Sequence, residues 1–206
     1  MTHNSDQKND TLSYYEKNAK AFYDGTVNVN LTTLWAPFLN YMPACAKILD
    51  AGCGSGRDTL FFSSHGFKVT AFDYSPALVK MASKLTGQKI LNLSFQDIEF
   101  DEEFHGIWAC SSLIHVPMEE LHDVVGKLSK ALKLNGILYS SFKYGSGESV
   151  RKGRLFVDFD EAGFDEFLQQ HPELSVQRYW KTNDRRPGRG DKKWFNILLR
   201  KTATSS

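Results

Sequence analysis

The chain has 206 residues, with 25 Lys plus Arg against 24 Asp plus Glu and a formal net charge of +1, which excludes a global attraction to nucleic acid or membrane and leaves only local patches for such contacts. Its 41% hydrophobic and 24% charged content is ordinary for a globular protein, and its length predicts one domain that buries about 70% of its unfolded surface. The opening residues, 1–10, lack the apolar core of a leader peptide; no run reaches the ~18 apolar residues of a membrane span, so a cytoplasmic protein without a membrane partner is expected.

Residues 1–11 are polar and read as a disordered tail. Residues 11–23 read as a helix, because Leu12, Tyr15, Ala19, Phe22 and Tyr23 fall close to one face. A second helix is expected over 31–41, stopping before Pro43. An apolar strand then runs through Ile48 and Leu49 into Asp50-Ala51-Gly52-Cys53-Gly54-Ser55-Gly56-Arg57-Asp58. Glycines at alternate positions let the backbone turn tightly and let a ligand approach without a Cβ in the way. The helix that follows offers free N–H groups to an anionic group. Together these features describe a nucleotide-cofactor site at the end of the first strand of an open α/β sheet. A dinucleotide fingerprint would need a third glycine where Arg57 stands, and a Walker A loop would need a terminal G-K-[ST] that is missing. An NAD-dependent reductase is therefore disfavoured.

Residues 67–72 read as the second strand, ending in Asp73 and Tyr74. Ser75 as N-cap with Pro76 at the first helical position begins the next helix. Residues 93–98 read as a third strand carrying Asp97, residues 104–113 as a fourth, 118–133 as a helix and 136–142 as a fifth strand. Residues 143–158 form a long connection with Gly145, Gly147 and Gly153 among Lys143, Arg151, Lys152 and Arg154, of the sort that carries function. Asp160 and Glu161 open a helix running to about residue 170. Residues 175–180 and 193–200 alternate and pair as an antiparallel hairpin. Its loop, 181–193, holds Arg185, Arg186 and Arg189 with Asp184 and Asp191. That loop reads either as a solvated turn or as a cationic lid for a carboxylate or phosphate; nucleic acid is possible but not favoured, since the acids offset part of the charge and aromatic residues are few. Cys45, Cys53 and Cys110 are scattered, and they suggest neither a disulfide framework nor a metal site.

The segment Asp50-Ala51-Gly52-Cys53-Gly54-Ser55-Gly56 and the ordered signals after it resemble the class I S-adenosylmethionine (SAM)-dependent methyltransferases over residues 46–142. The resemblance implies a Rossmann-like seven-stranded α/β sheet, mostly parallel with an antiparallel last strand, and helices on both faces. It implies a single domain over 12–206, of which 12–43 form a helical lid. The cofactor-binding set it implies is Gly52, Cys53, Gly54 and Gly56 in the loop, with Asp50 organising it or meeting the SAM amino group. Arg57 pairs with the SAM carboxylate or serves structure alone. Asp73 accepts the ribose hydroxyls and Tyr74 lies on adenine. Asp97 takes the adenine amino group and the Ile98 backbone a ring nitrogen. Ser112 joins this set, as do Tyr14 and Tyr23 on the lid. The segment Leu113-Ile114-His115-Val116-Pro117 resembles the family's wall facing the reacting methyl, with His115 either a general base or a pocket-shaping residue. Lys143, Arg185 and Arg186 are candidate substrate contacts. The expected activity is methyl transfer from SAM to a small-molecule acceptor, leaving S-adenosylhomocysteine (SAH). The alternatives are RNA methylation through the 181–193 loop and a non-catalytic SAM or SAH binder. The Tyr-x-x-Asn-Ala pattern at 15–19 and the Gly-Arg-Asp variant at 56–58 look like the tellurite-resistance methyltransferases.

Overall fold

The computed structural model describes residues 3–186 and 188–203. Helix α1 spans His3–Thr26 and α2 spans Thr32–Leu39. Then β1 (Lys47–Ala51), α3 (Arg57–Ser64), β2 (Lys68–Asp73), α4 (Pro76–Thr86) and β3 (Leu91–Asn92) alternate. β4 (Phe104–Ala109), α5 (Met118–Ala131) and β5 (Leu132–Tyr144) complete the parallel part. β6 (Gly147–Arg151), β7 (Arg154–Phe159), α6 (Glu161–Leu168), β8 (Leu174–Asn183) and β9 (Lys193–Lys201) follow.

β3, β2, β1, β4 and β5 lie side by side in parallel. β9 runs antiparallel to β5 along Ile137–Lys143, and β8 pairs outside β9. This is the expected parallel sheet closed by an antiparallel hairpin. Its strands are apolar on both faces because helices cover both; in β1, Ile48, Leu49 and Ala51 are fully buried. One cluster packs α5 and α6 against the sheet through Leu121, Val124, Leu128, Phe164 and Phe167. The opposite face buries Phe38, Phe62, Trp108 and Tyr139 beneath α2 and α3, with the Trp108 and Tyr139 rings stacked at 3.9 Å.

Three sequence expectations need correction. Among the described residues the sheet has nine strands rather than seven. The extra two are the β6–β7 hairpin, in the stretch that reads as a loop. β5 outruns β4, whose pairing ends at Ser140, and β7 takes the vacated edge at Lys143 and Tyr144. β6 is exposed along nearly its whole length, so it lacks the alternation that marks a half-buried strand. Second, the third strand is Leu91–Asn92, and Phe95–Asp97 forms a single 3₁₀ turn. Third, α1 begins at His3 rather than after residue 11; no helix breaker interrupts the polar run, and packing of its later turns propagates back through it. Met1 and Thr2 of the expected tail lie outside the described residues. No helix among the described residues is long and apolar enough to cross a membrane.

Candidate functional site

The carboxyl ends of β1, β2 and β4 open into one cavity of about 910 Å³, near the upper end of the range for small-molecule sites. Its floor is the glycine loop. A Cβ on Gly52 would stand 2.5 Å from the Ser112 Cβ, and one on Gly56 would stand 2.9 Å from the Ala82 Cβ. The first glycine lets β1 meet the end of β4, and the last lets α3 seat against α4. Both hold positive φ, 76° and 79°, which side chains rarely adopt.

Two acids organise the loop from below. Asp50 is buried and accepts the Thr59 hydroxyl at 2.5 Å. Burial first, and then the neighbouring Asp58 charge, push its carboxyl up to about 8. Asp58 is buried too, but it accepts four donors: the Trp35 and Trp108 indoles at 2.9 and 3.0 Å and the Arg57 Nε and terminal nitrogen at 2.9 and 2.8 Å. Against the burial penalty, the Arg57 guanidinium and these bonds hold Asp58 below the ordinary carboxylate range. Arg57 therefore spends its fork on Asp58, with a 3.3 Å bond to the Thr26 carbonyl.

Asp73 closes β2. Its carboxylate accepts the Gly54 N–H at 2.8 Å and the Ser75 N–H at 2.9 Å. Tyr74 beside it is about half exposed at the cavity mouth. Ser112 donates to the Ala51 carbonyl at 2.7 Å. The lid is latched by a residue that sequence reading missed: the Glu16 carboxylate accepts the Ser75 hydroxyl and, at 3.1 Å, the Ala77 N–H.

His115 sits at the far wall. Its Nδ1 lies 2.6 Å from the Leu155 carbonyl and its Nε2 lies 2.9 Å from the Tyr15 hydroxyl. The carbonyl can only accept, so Nδ1 carries the proton and Nε2 accepts from tyrosine. Burial, reinforced by the Arg154 charge, lowers the imidazole to about 4. It is a neutral ring at working pH.

Gly52, Cys53, Gly54, Arg57, Asp73, Tyr74, Ser112, His115, Tyr14, Lys143, Arg185 and Arg186 line the cavity. Five candidates do not line it: Asp50 lies buried beneath the loop, Gly56 packs against Ala82, and Tyr23, Asp97 and Ile98 are placed elsewhere. Tyr23 is absent from the walls, and Tyr15 and Phe22 face inward instead. Asp97 is exposed and accepts the Ser94 hydroxyl at 2.6 Å, while Ile98 is buried in the core. The 3₁₀ turn presents Ser94, Phe95 and Gln96 to the cavity in their place. Lys143 and Arg186 converge on Asp184 at 3.5 and 2.5 Å, so they are partly neutralised before any ligand arrives. Arg185 bonds the Thr33 hydroxyl at 3.1 Å.

Residues 48–136 match the family model described as a methyltransferase domain. Over that stretch the chain is similar to the SAM-dependent methyltransferases. The methyltransferase of Burkholderia thailandensis that acts on 1,6-didemethyltoxoflavin, solved with that compound and SAH, is similar in fold, with a TM-score of 0.79 and 21% identity over 97% of this chain and 88% of that one. The malonyl-[acyl-carrier protein] O-methyltransferase of Salmonella typhimurium is 28% identical over 138 residues, 66% of this chain and 54% of that protein. A probable methyltransferase of Haemophilus influenzae named TehB is 28% identical over 92 residues, 44% of this chain and 31% of that protein, a thin basis for the tellurite-type likeness. The chain spans about half the length of the curated relatives it matches first, 60% and 54%.

That family uses SAM, and the site described above fits it. Close-packed glycines leave the loop backbone bare, a carboxylate at the end of β2 is fixed by two N–H donors and faces the cavity, and Tyr74 lies open beside it.

Proposed function

We propose that this protein methylates a small-molecule acceptor with SAM. The observation that carries the reading is that the glycine loop and Asp73 share one cavity with the wall formed by α1, His115 and β7. One chamber can thus hold a cofactor and an acceptor against each other, and such positioning can remove roughly 7–11 kcal/mol of barrier. When bound, the cofactor supplies a methyl group already activated on a sulfonium centre.

The chain's own residues have distinct parts in this scheme. Asp73 receives the ribose hydroxyls and Tyr74 covers the adenine, with Phe95 and Gln96 at its edge. Asp50, buried beneath the loop and bonded to Thr59, organises the loop rather than meeting the ligand. Arg57 acts through Asp58 to keep the loop in shape and is not a carboxylate clamp, since its nitrogens are already engaged. His115 is a positioning residue: neutral and pinned by Leu155, it accepts the Tyr15 hydroxyl and fixes that ring in the chamber wall.

The test is calorimetry of SAM, SAH and NAD on wild type and Asp73→Ala. Micromolar SAM and SAH binding that weakens at least ~100-fold in D73A supports the reading, and each tenfold corresponds to about 1.4 kcal/mol. Tight SAH binding that survives D73A, or NAD binding in its place, overturns it.

A further inference from the structure

We propose that β7 builds an acceptor subsite for a planar acid, with Arg154 as the group that recognises its anionic end. This deepens the methyltransferase reading and rests on it.

β7 is the strand that the sequence does not announce, and it lies beside the chemistry. Side chains alternate along a strand, and Arg154, Phe156 and Asp158 line the cavity while Val157 and Phe159 join the core. Leu155 between them is the residue whose carbonyl pins His115. Arg154 therefore neighbours the wall that faces the loop.

The guanidinium of Arg154 lies 4.2 Å from the centre of the Tyr14 ring, 5.1 Å from Phe156 and 5.8 Å from Tyr15. Such stacking holds the plane of the guanidinium, and a side-chain hydrogen bond ties it to the Tyr15 hydroxyl. Its Nε is buried with no hydrogen-bond partner. No carboxylate forms an ion pair with it among the described residues; four other cations that line the chamber differ in this respect. Arg57 is paired with Asp58, Arg186 and Lys143 with Asp184, and Arg151 with Asp158.

A buried donor without a partner is costly and calls for an explanation. Nε and a terminal nitrogen form the fork that accepts a carboxylate through two parallel bonds. Around that fork stand Tyr14, Tyr15, His115 and Phe156, whose rings contact one another edge to face at 5.6 Å, 5.5 Å and 4.9 Å along the series. An aromatic wall with one guanidinium that has no carboxylate partner and an open Nε suits a flat ring bearing an anion. Farther along the same strand, the Asp158 Oδ1 is also buried and unpartnered. It asks for an N–H or O–H donor from the same ligand.

The experiment uses the SAH-loaded full chain with benzoate and benzamide, which share shape and differ in charge. Ligand affinity is read by calorimetry in wild type and in R154Q, with SAH affinity measured in the same samples. We expect benzoate to bind at least ~10-fold tighter than benzamide to wild type, the tenfold expected of a charge-assisted pair. In R154Q that preference disappears, while SAH affinity stays within about twofold. Equal binding of the two probes to wild type overturns the proposal, and so does a preference that survives R154Q. The wild-type comparison stands whether or not R154Q folds. Failure of SAH itself to bind wild type would instead remove the methyltransferase reading, which keeps the two failures distinct.

Discussion

Replacing Asp58 by Asn is the most demanding test of how the loop is held. The carboxylate accepts four donors, two per oxygen. Asn keeps one oxygen and turns an NH₂ toward the other pair. In either orientation one indole N–H and one guanidinium N–H lose their acceptor and face a donor. Orphaning a buried N–H costs about 1–3 kcal/mol, and leaving a buried charge without its partner costs about 3–5 kcal/mol. The Arg57 side chain retains 17% exposure, so water recovers part of the second cost. A loss near 5 kcal/mol is expected, or a urea midpoint lower by about 2 M for a slope of roughly 2–3 kcal/mol/M. Urea unfolding followed by tryptophan fluorescence measures it, and Trp35 and Trp108 report the site directly. The pH dependence has a defined sign. A carboxyl held below its unfolded value contributes stability above about pH 4 that is lost as pH falls through its folded value. D58N should therefore show a shallower acid limb than wild type. A loss under about 1 kcal/mol, with an unchanged acid limb, would refute this account of the network.

Three further outcomes are expected. For Asp50, whose carboxyl is raised to about 8, the folded state holds a proton that the unfolded state releases, so wild-type stability should fall between about pH 4 and 8 and level off above; urea titrations at pH 5 and 8 should show that slope flattened in D50N, and an equal slope in both proteins would dismiss it. G56A should lose about 2–4 kcal/mol from positive φ and the clash with Ala82 and weaken SAH binding, whereas a stability within 0.5 kcal/mol of wild type, about the range of an inert surface change, would mean that α3 and α4 are not in contact there. The His115 imidazole, lowered to about 4 by burial, should show no NMR titration between about pH 5.5 and 8; a midpoint near the ordinary histidine value would restore it as a candidate base.

Much of the site was legible in the chain because its signals are local. Gly52, Gly54 and Gly56 are required by backbone conformation within a few residues, Asp73 by the end of an alternating strand, and Ser75-Pro76 by helix capping, where the Ser75 hydroxyl does accept the Leu78 N–H at 3.2 Å. The strand order follows from the same alternation of β and α. What the chain did not show are relations between distant residues. The exchange of Tyr23 for Tyr15, 100 positions from His115, depends on how α1 rolls over the sheet. The exchange of Asp97 for Phe95 and Gln96 depends on a single 3₁₀ turn. Arg57 reads as open to a ligand until Asp58, itself held by Trp35 and Trp108, takes up its fork.

The sequence by itself determined the loop, the parallel sheet and the cofactor class, because glycine conformation, period-two alternation and capping are written in short windows. Only the tertiary structure decided which cations are paired with a carboxylate and which are not. Lys143, Arg151, Arg154 and Arg186 are equivalent on paper, and burial beside Asp158 or Asp184 neutralises all but Arg154. Charge pairing is a three-dimensional property, set by which carboxylate packing brings within reach, so it could be read only from the fold.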